Sequence, residues 1–250
     1  MSTKRLSLKE KLNRIYNTVD LRTTCNGKIS CCKVAMPSHN YSEFVQILNE
    51  IWNKENDETK VQVIQSAIEY FFKYDYDKWG MATLLKPCML LDDKGKCSYY
   101  ENRPLSCRLY GLWPESSYKA RVDKFEKAYE GKLTRDQLPL NTQCPNVKRV
   151  DDSVPLTQEI IQSLFSQLDE LDLKMQKFTN AQITNRENYR TFHDWFLWTF
   201  FGEQWLSTMT DFILKATKEQ MEDQLKAIND VVKDKFAKNL PDMRIKEDND

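Results

Sequence analysis

Apolar residues recur at helical spacing through most of this chain. Phe44, Ile47, Leu48, Ile51 and Trp52 fall three and four residues apart, and Asn40 stands three residues ahead of Glu43, the pattern of a capping box. Val61, Ile64, Ile68, Phe71 and Phe72 form a second core-facing stripe. Leu156, Ile160, Leu164, Leu168, Leu171 and Met175 make a third, and Phe192, Trp195, Phe196 and Phe200 a fourth. Thr217 and Gln220 repeat the capping pattern ahead of Met221, Leu225, Ile228, Val232 and Phe236. Tyr118, Val122, Phe125 and Tyr129 predict a further helix closed by Gly131.

The pattern breaks between these stripes. Asp92-Asp93-Lys94-Gly95 is a turn signal between CMLL and CSYY, which predicts a short hairpin. In ENRPLSCRLYG, Asn102 suits an N-cap, Pro104 an early helical position and Gly111 a stop, so Cys107 is expected on a short helix. The chain is therefore read as mainly α. Residues 1–150 form an irregular cysteine-rich metal-binding region with a short β-hairpin, and residues 151–240 a helical part packed on it. The polar residues 241–250 are expected to be a disordered tail.

The 250 residues are enough to bury a core without disulfides, and scarce glycine favours helices. Lys and Arg balance Asp and Glu at 37 each, so no broad field invites nucleic acid. The opening MSTKRLSLKEKLNRIYN lacks the apolar core of a secretory signal. The aromatic run from Phe192 to Leu214 is interrupted by His193, Asp194, Glu203, Gln204 and Asp211, too polar for a membrane span. A cytoplasmic chain with reduced thiols is expected.

That expectation bears on seven cysteines: Cys25, Cys31, Cys32, Cys88, Cys97, Cys107 and Cys144. A disulfide framework fits poorly, because seven is odd and adjacent Cys31 and Cys32 have the wrong spacing to bridge each other. Buried cysteines acting as small hydrophobes would sit within apolar stripes. These instead stand beside Gly, Pro or Asn, or next to turns, where backbone lets thiolates converge. Thiolates are soft ligands that select zinc, copper(I) or iron–sulfur clusters. Zinc knuckles usually pair cysteines as C-x2-C, and no such pair occurs. Irregular spacing over several loops suits a cluster, so iron–sulfur is favoured over zinc.

Three blocks carry a family resemblance: CNGKISCC from Cys25 to Cys32, KPCMLLDDKGKCSYYENRPLSCRLYG from Lys86 to Gly111, and Cys144-Pro145. Together they resemble the YkgJ-type cysteine-cluster proteins, a family of zinc- or iron-chelating domains. The second block is the most telling. A Pro-Cys start, a hydrophobic-Asp-Gly turn, a Cys-Ser-Tyr-Tyr run and an Arg-Pro-x-x-Cys-Arg step follow in the family's order. The resemblance implies iron–sulfur or zinc held by these cysteines. Where the family's first block usually reads C-x-x-C-x-x-C-C, Lys28 replaces the second cysteine, and His39 is the nearest substitute ligand. One related group looks like the flagellin lysine N-methylases, which pair a cluster with S-adenosylmethionine. No Gly-rich nucleotide loop follows a strand here.

Arg103 and Arg108 flank Cys107 and are the candidates for cofactor binding, as donors near cluster sulfurs or to an anion. The competing reading pairs Arg103 with Glu101 or another acid to fix the loop. Tyr99, Tyr100 and Tyr110 are expected to pack as an apolar wall, Asp92 and Asp93 to shape the turn, and His193 to be a packed residue of its helix. No catalytic residue can be assigned. The expected protein holds an iron–sulfur cluster, 4Fe–4S in type, and supports redox or modification of a protein or small-molecule substrate. The alternatives are a zinc-held interaction module and a cluster-dependent protein-lysine N-methylase.

Overall fold

The computed structural model describes residues 6–20, 23–25, 36–75, 87–114, 119, 120, 123, 127, 147–149, 156–179 and 190–245. For 23–25, 74–75, 147–149, 176–179 and 237–238 the description is of backbone alone. Within these residues there are seven α-helices: α1 Leu8–Asp20, α2 Tyr41–Lys54, α3 Asp57–Tyr70, α4 Leu105–Arg108, α5 Gln158–Thr179, α6 Phe192–Lys215 and α7 Lys218–Lys238. The fold is mainly helical, as the periodicity predicts. The stripe residues Tyr118, Val122, Phe125 and Tyr129 lie outside the described residues.

The core forms where the apolar stripes meet. Tyr41, Phe44, Ile47, Leu48 and Ile51 of α2 are buried with Phe192, Trp195 and Phe196 of α6. Their rings pack at 5.0 Å for Tyr41–Trp195 and 5.3 Å for Phe44–Phe192, separations at which aromatic pairs attract. Helix α3 packs on α6 and α7, while α5 lies against α1 and α2. The cysteine-bearing and cysteine-free parts of the chain thus share one core.

Helix ends are satisfied largely by side chains. The capping boxes read at Asn40–Glu43 and Thr217–Gln220 are both present, and Thr191–Asp194 forms a third at the start of α6. α2 receives an additional cap from far away in sequence. Asp172 on α5 accepts from Tyr41 N at 2.9 Å and from Ser42 N at 2.8 Å. Its carboxylate thereby meets donors that the first helical turn leaves without partners. α6 kinks at Gly202, whose φ of 81° and ψ of 165° lie in a region essentially restricted to glycine.

Among the described residues strands are few and short. The hairpin expected around Asp92 is present as one antiparallel bridge, Leu91–Cys97, extended by Ser98 N donating to Leu90 O at 3.0 Å. Asp92 shapes its turn by accepting from Lys94 N and Lys96 N, and Gly95 takes a φ of 70°. Two further pairings join distant segments: β1 Thr23–Cys25 with β3 Val147–Arg149, and β2 Ser38–His39 with β4 Arg190–Thr191, both antiparallel.

Two local expectations need correction. The α4 helix is capped by Pro104, not Asn102, because Asn102 ends a 3-10 turn and its N–H is spent on Tyr99 O. Residues 241–245, read as the beginning of a disordered tail, lie against α2. Trp52 Nε1 donates to Pro241 O at 3.2 Å, and the Asn49 amide bonds both Ile245 N and Ile245 O at 2.9 Å. Polar composition hid this because the anchors are side chains of α2, and of residues 241–245 only Met243 is buried. Residues 246–250 lie outside the described residues.

Candidate metal centre

The described cysteines sit where regular structure begins or ends. Cys88 opens the hairpin block and is buried, with its carbonyl accepting from Leu91 N at 3.2 Å. Cys97 is the bridge residue of the opposite arm and is half-buried. Cys107, also half-buried, lies on the one-turn helix α4 with its N–H on Pro104 O at 3.0 Å. Cys25 ends β1, opposite Val147, three residues after Cys144 in the sequence. Cys31, Cys32, Cys144 and Lys28 lie outside the described residues. Among the described residues no group of three or more His, Cys, Asp or Glu is arranged to hold a metal ion.

What the described residues display is the framework around Cys107. Each of the three guanidinium nitrogens of Arg108 has a partner within the fold. Nη1 pairs with Asp20, Nε donates to Arg103 O at 2.9 Å, and Nη2 donates to Glu101 O at 2.7 Å. The same group lies 4.1 Å from the centre of the Tyr16 ring, within cation–π range. Arg103 reaches the other Asp20 oxygen at 3.5 Å and lies 4.0 Å over Tyr100. One carboxylate at the end of α1 therefore holds both arginines that flank Cys107. Sequence proximity suggests Glu101 as the acid; the fold uses Asp20, and only the main chain of Glu101.

Glu43 completes the framework from α2. Its Oε1 accepts from Tyr16 Oη at 2.8 Å and from Leu105 N at 2.6 Å, and Oε2 accepts from Asn40 N at 3.0 Å. A residue legible as a local capping box thus also caps α4 and anchors α1. Burial pushes the Tyr16 hydroxyl well up, with Glu43 and the nearby Cys107 adding to it, so Tyr16 is the donor. Ser106 Oγ, beside Cys107, donates to Ser38 O at 2.7 Å and ties α4 to β2.

Burial pushes Glu43 up to about 7, against the hydrogen bonds from Leu105, Asn40 and Tyr16. Burial likewise pushes Asp172 up to about 6. His39 is held down to about 3 by burial, with His193 adding to the effect. Both carboxyls therefore bind protons more tightly in the fold than in the unfolded chain, and His39 less tightly. Between about pH 4.5 and 6.5 the two carboxyls outweigh the one histidine, so stability falls as pH rises. The urea midpoint of chelator-treated protein is expected to be higher at about pH 5 than at about pH 7.5. Asp172→Asn should shrink that difference, and an unchanged difference would remove Asp172 from the linkage.

His39 is sequestered among aromatic rings, 6.2 Å from Phe192. Nδ1 lies 3.3 Å from Pro37 O, while Nε2 has no hydrogen-bond partner among the described residues. His193 is fully buried, 4.6 Å from Tyr70, with Nδ1 2.9 Å from Thr191 Oγ1, the packed role its helical setting suggests. Tyr99 donates to Glu55 at 3.1 Å. No helix among the described residues is long and apolar enough to cross a membrane.

No curated protein and no solved structure matches the chain. Residues 23–147 match the family model CxxCxxCC, described as a putative zinc- or iron-chelating domain. The matched span begins at β1 and ends at the first residue of β3, so its two ends are the paired strands. It includes all seven cysteines and covers half of the 250 residues. On that match, this metal-binding chain belongs to the CxxCxxCC family of zinc- or iron-chelating domains.

Proposed function

We propose that the chain holds an iron–sulfur cluster, 4Fe–4S in type, through thiolates drawn from its three cysteine blocks, in the reducing cytoplasm. The observation that carries this reading is the β1–β3 pairing. It sets Cys25 opposite Val147, which stands three positions after Cys144 in the sequence. The pairing thus sets the strand of the first block beside the segment that follows the last block in sequence. Asp20, five residues before Cys25, draws the second block in through Arg103 and Arg108. The donor chemistry fits the group: thiolates at turn and helix-start positions, irregularly spaced, suit a cluster better than a zinc knuckle.

When bound, such a cluster supplies one-electron chemistry or an iron site for a ligand. The chain's own residues orient the thiolates and shield them: Cys88 is buried, and Leu105 and Leu109 on either side of Cys107 are buried in the core. The role we assign to this centre is redox or a modification reaction on a protein or small molecule. Arg103 and Arg108 act by fixing the loop around Cys107. Purification without oxygen followed by an absorption spectrum tests the cluster. A broad band at about 400 nm, with sulfide matching iron, is expected. A colourless protein carrying zinc would replace the cluster with a zinc-held module.

A further inference from the structure

We propose that Asp20 is a positioning residue for the metal site, setting the Cys107 helix against the strand that carries Cys25 before any metal arrives. The inference rests on the cysteine-held metal proposed above and deepens it. Three observations converge on this one carboxylate. It ends α1, three residues ahead of β1, the strand that ends in Cys25. It pairs with both arginines that bracket Cys107. Arg108 in turn stacks on Tyr16, one turn back on α1, whose hydroxyl is fixed by Glu43. Glu43 closes the ring by accepting from Leu105 N at the start of α4.

These links join α1 and α2 to α4 and to Arg103 just ahead of it, and none of them runs through a thiolate. The corner is thus assembled without metal. Asp20 is its most accessible member: its side chain is 34% exposed, against 5% for Arg108. A metal that gathers Cys25 and Cys107 then meets thiolates whose spacing is already restricted. Polar partners behind ligating groups typically change metal affinity by about 10–100-fold.

The test compares the full chain with Asp20→Asn, Asp20→Glu and Val232→Ala. Val232 is buried on α7, in the cysteine-free part, and controls for lost stability alone. The readouts are the affinity of each protein for the metal that the wild type carries, iron with sulfide or zinc, by chelator competition, and the urea midpoint of each apo form. Asp20→Asn is expected to weaken metal retention by about 10–100-fold. Asp20→Glu, which keeps the charge, should recover most of it, and Val232→Ala should keep wild-type affinity. Undiminished affinity in Asp20→Asn would overturn the proposal, as would an equal loss in a comparably destabilised Val232→Ala. A wild-type chain that carries no metal would instead remove the metal reading itself, a result visible before any variant is compared.

Discussion

Glu43→Ala is expected to lower stability by roughly 4 kcal/mol, since it leaves three donors without an acceptor and each such buried group costs about 1–3 kcal/mol. The donors are Tyr16 Oη, Leu105 N and Asn40 N. They belong to α1, α4 and the cap of α2, so one substitution loosens three elements at once. Part of the loss is offset, because the fold no longer buries a carboxyl whose charged form burial disfavours. Glu43→Gln keeps one acceptor oxygen in the same volume and should cost less, about 1–2 kcal/mol. It also removes a proton-binding group, so its stability should vary less with pH than that of the wild type. Urea midpoints for the three proteins check the order wild type, Gln, Ala. A Glu43→Ala midpoint equal to that of the wild type would mean that water replaces the carboxylate at no cost.

Cys107→Ser is expected to show the largest effect on metal with the smallest on the fold. Serine preserves the size and the main-chain hydrogen bond to Pro104 O. It removes the soft thiolate, and a hydroxyl does not replace it at neutral pH. Bound metal should fall to roughly a tenth of the wild-type content or less, while the apo protein stays within about 0.5 kcal/mol of wild-type stability. Cys107 is half-buried, and its neighbours Arg108 and Leu105 hold α4 through contacts that do not use the sulfur. Full metal content in this variant would take Cys107 out of the ligand set.

The helices were legible because their cause is local. Phe44 to Trp52 repeat at helical spacing, and Asn40 and Glu43 lie three residues apart, so pattern and cap are read from neighbours alone. The contacts that organise the candidate site are not local. Asp172 caps α2 from α5, 130 residues away, and Asp20 finds Arg108 across 88 residues. A single polar residue meeting a distant helix end leaves no periodic trace in a sequence. The same holds for β1 and β2, three and two residues long, too short for alternation to register. Glu43 was visible in one role and hidden in the other two, because its capping partner is adjacent while Tyr16 and Leu105 are not. For the cysteines, the blocks and their order were readable, and family membership rests on them. The pairing of β1 with β3, which sets Cys25 opposite Val147, is a contact that spacing alone does not encode.

The most direct measurement is metal content per chain, by elemental analysis of the full protein purified without oxygen. Iron or zinc in stoichiometric amount is expected, retained through dilution and lost in Cys107→Ser. Protein that emerges folded, with all seven thiols titratable and neither metal bound, would contradict that expectation.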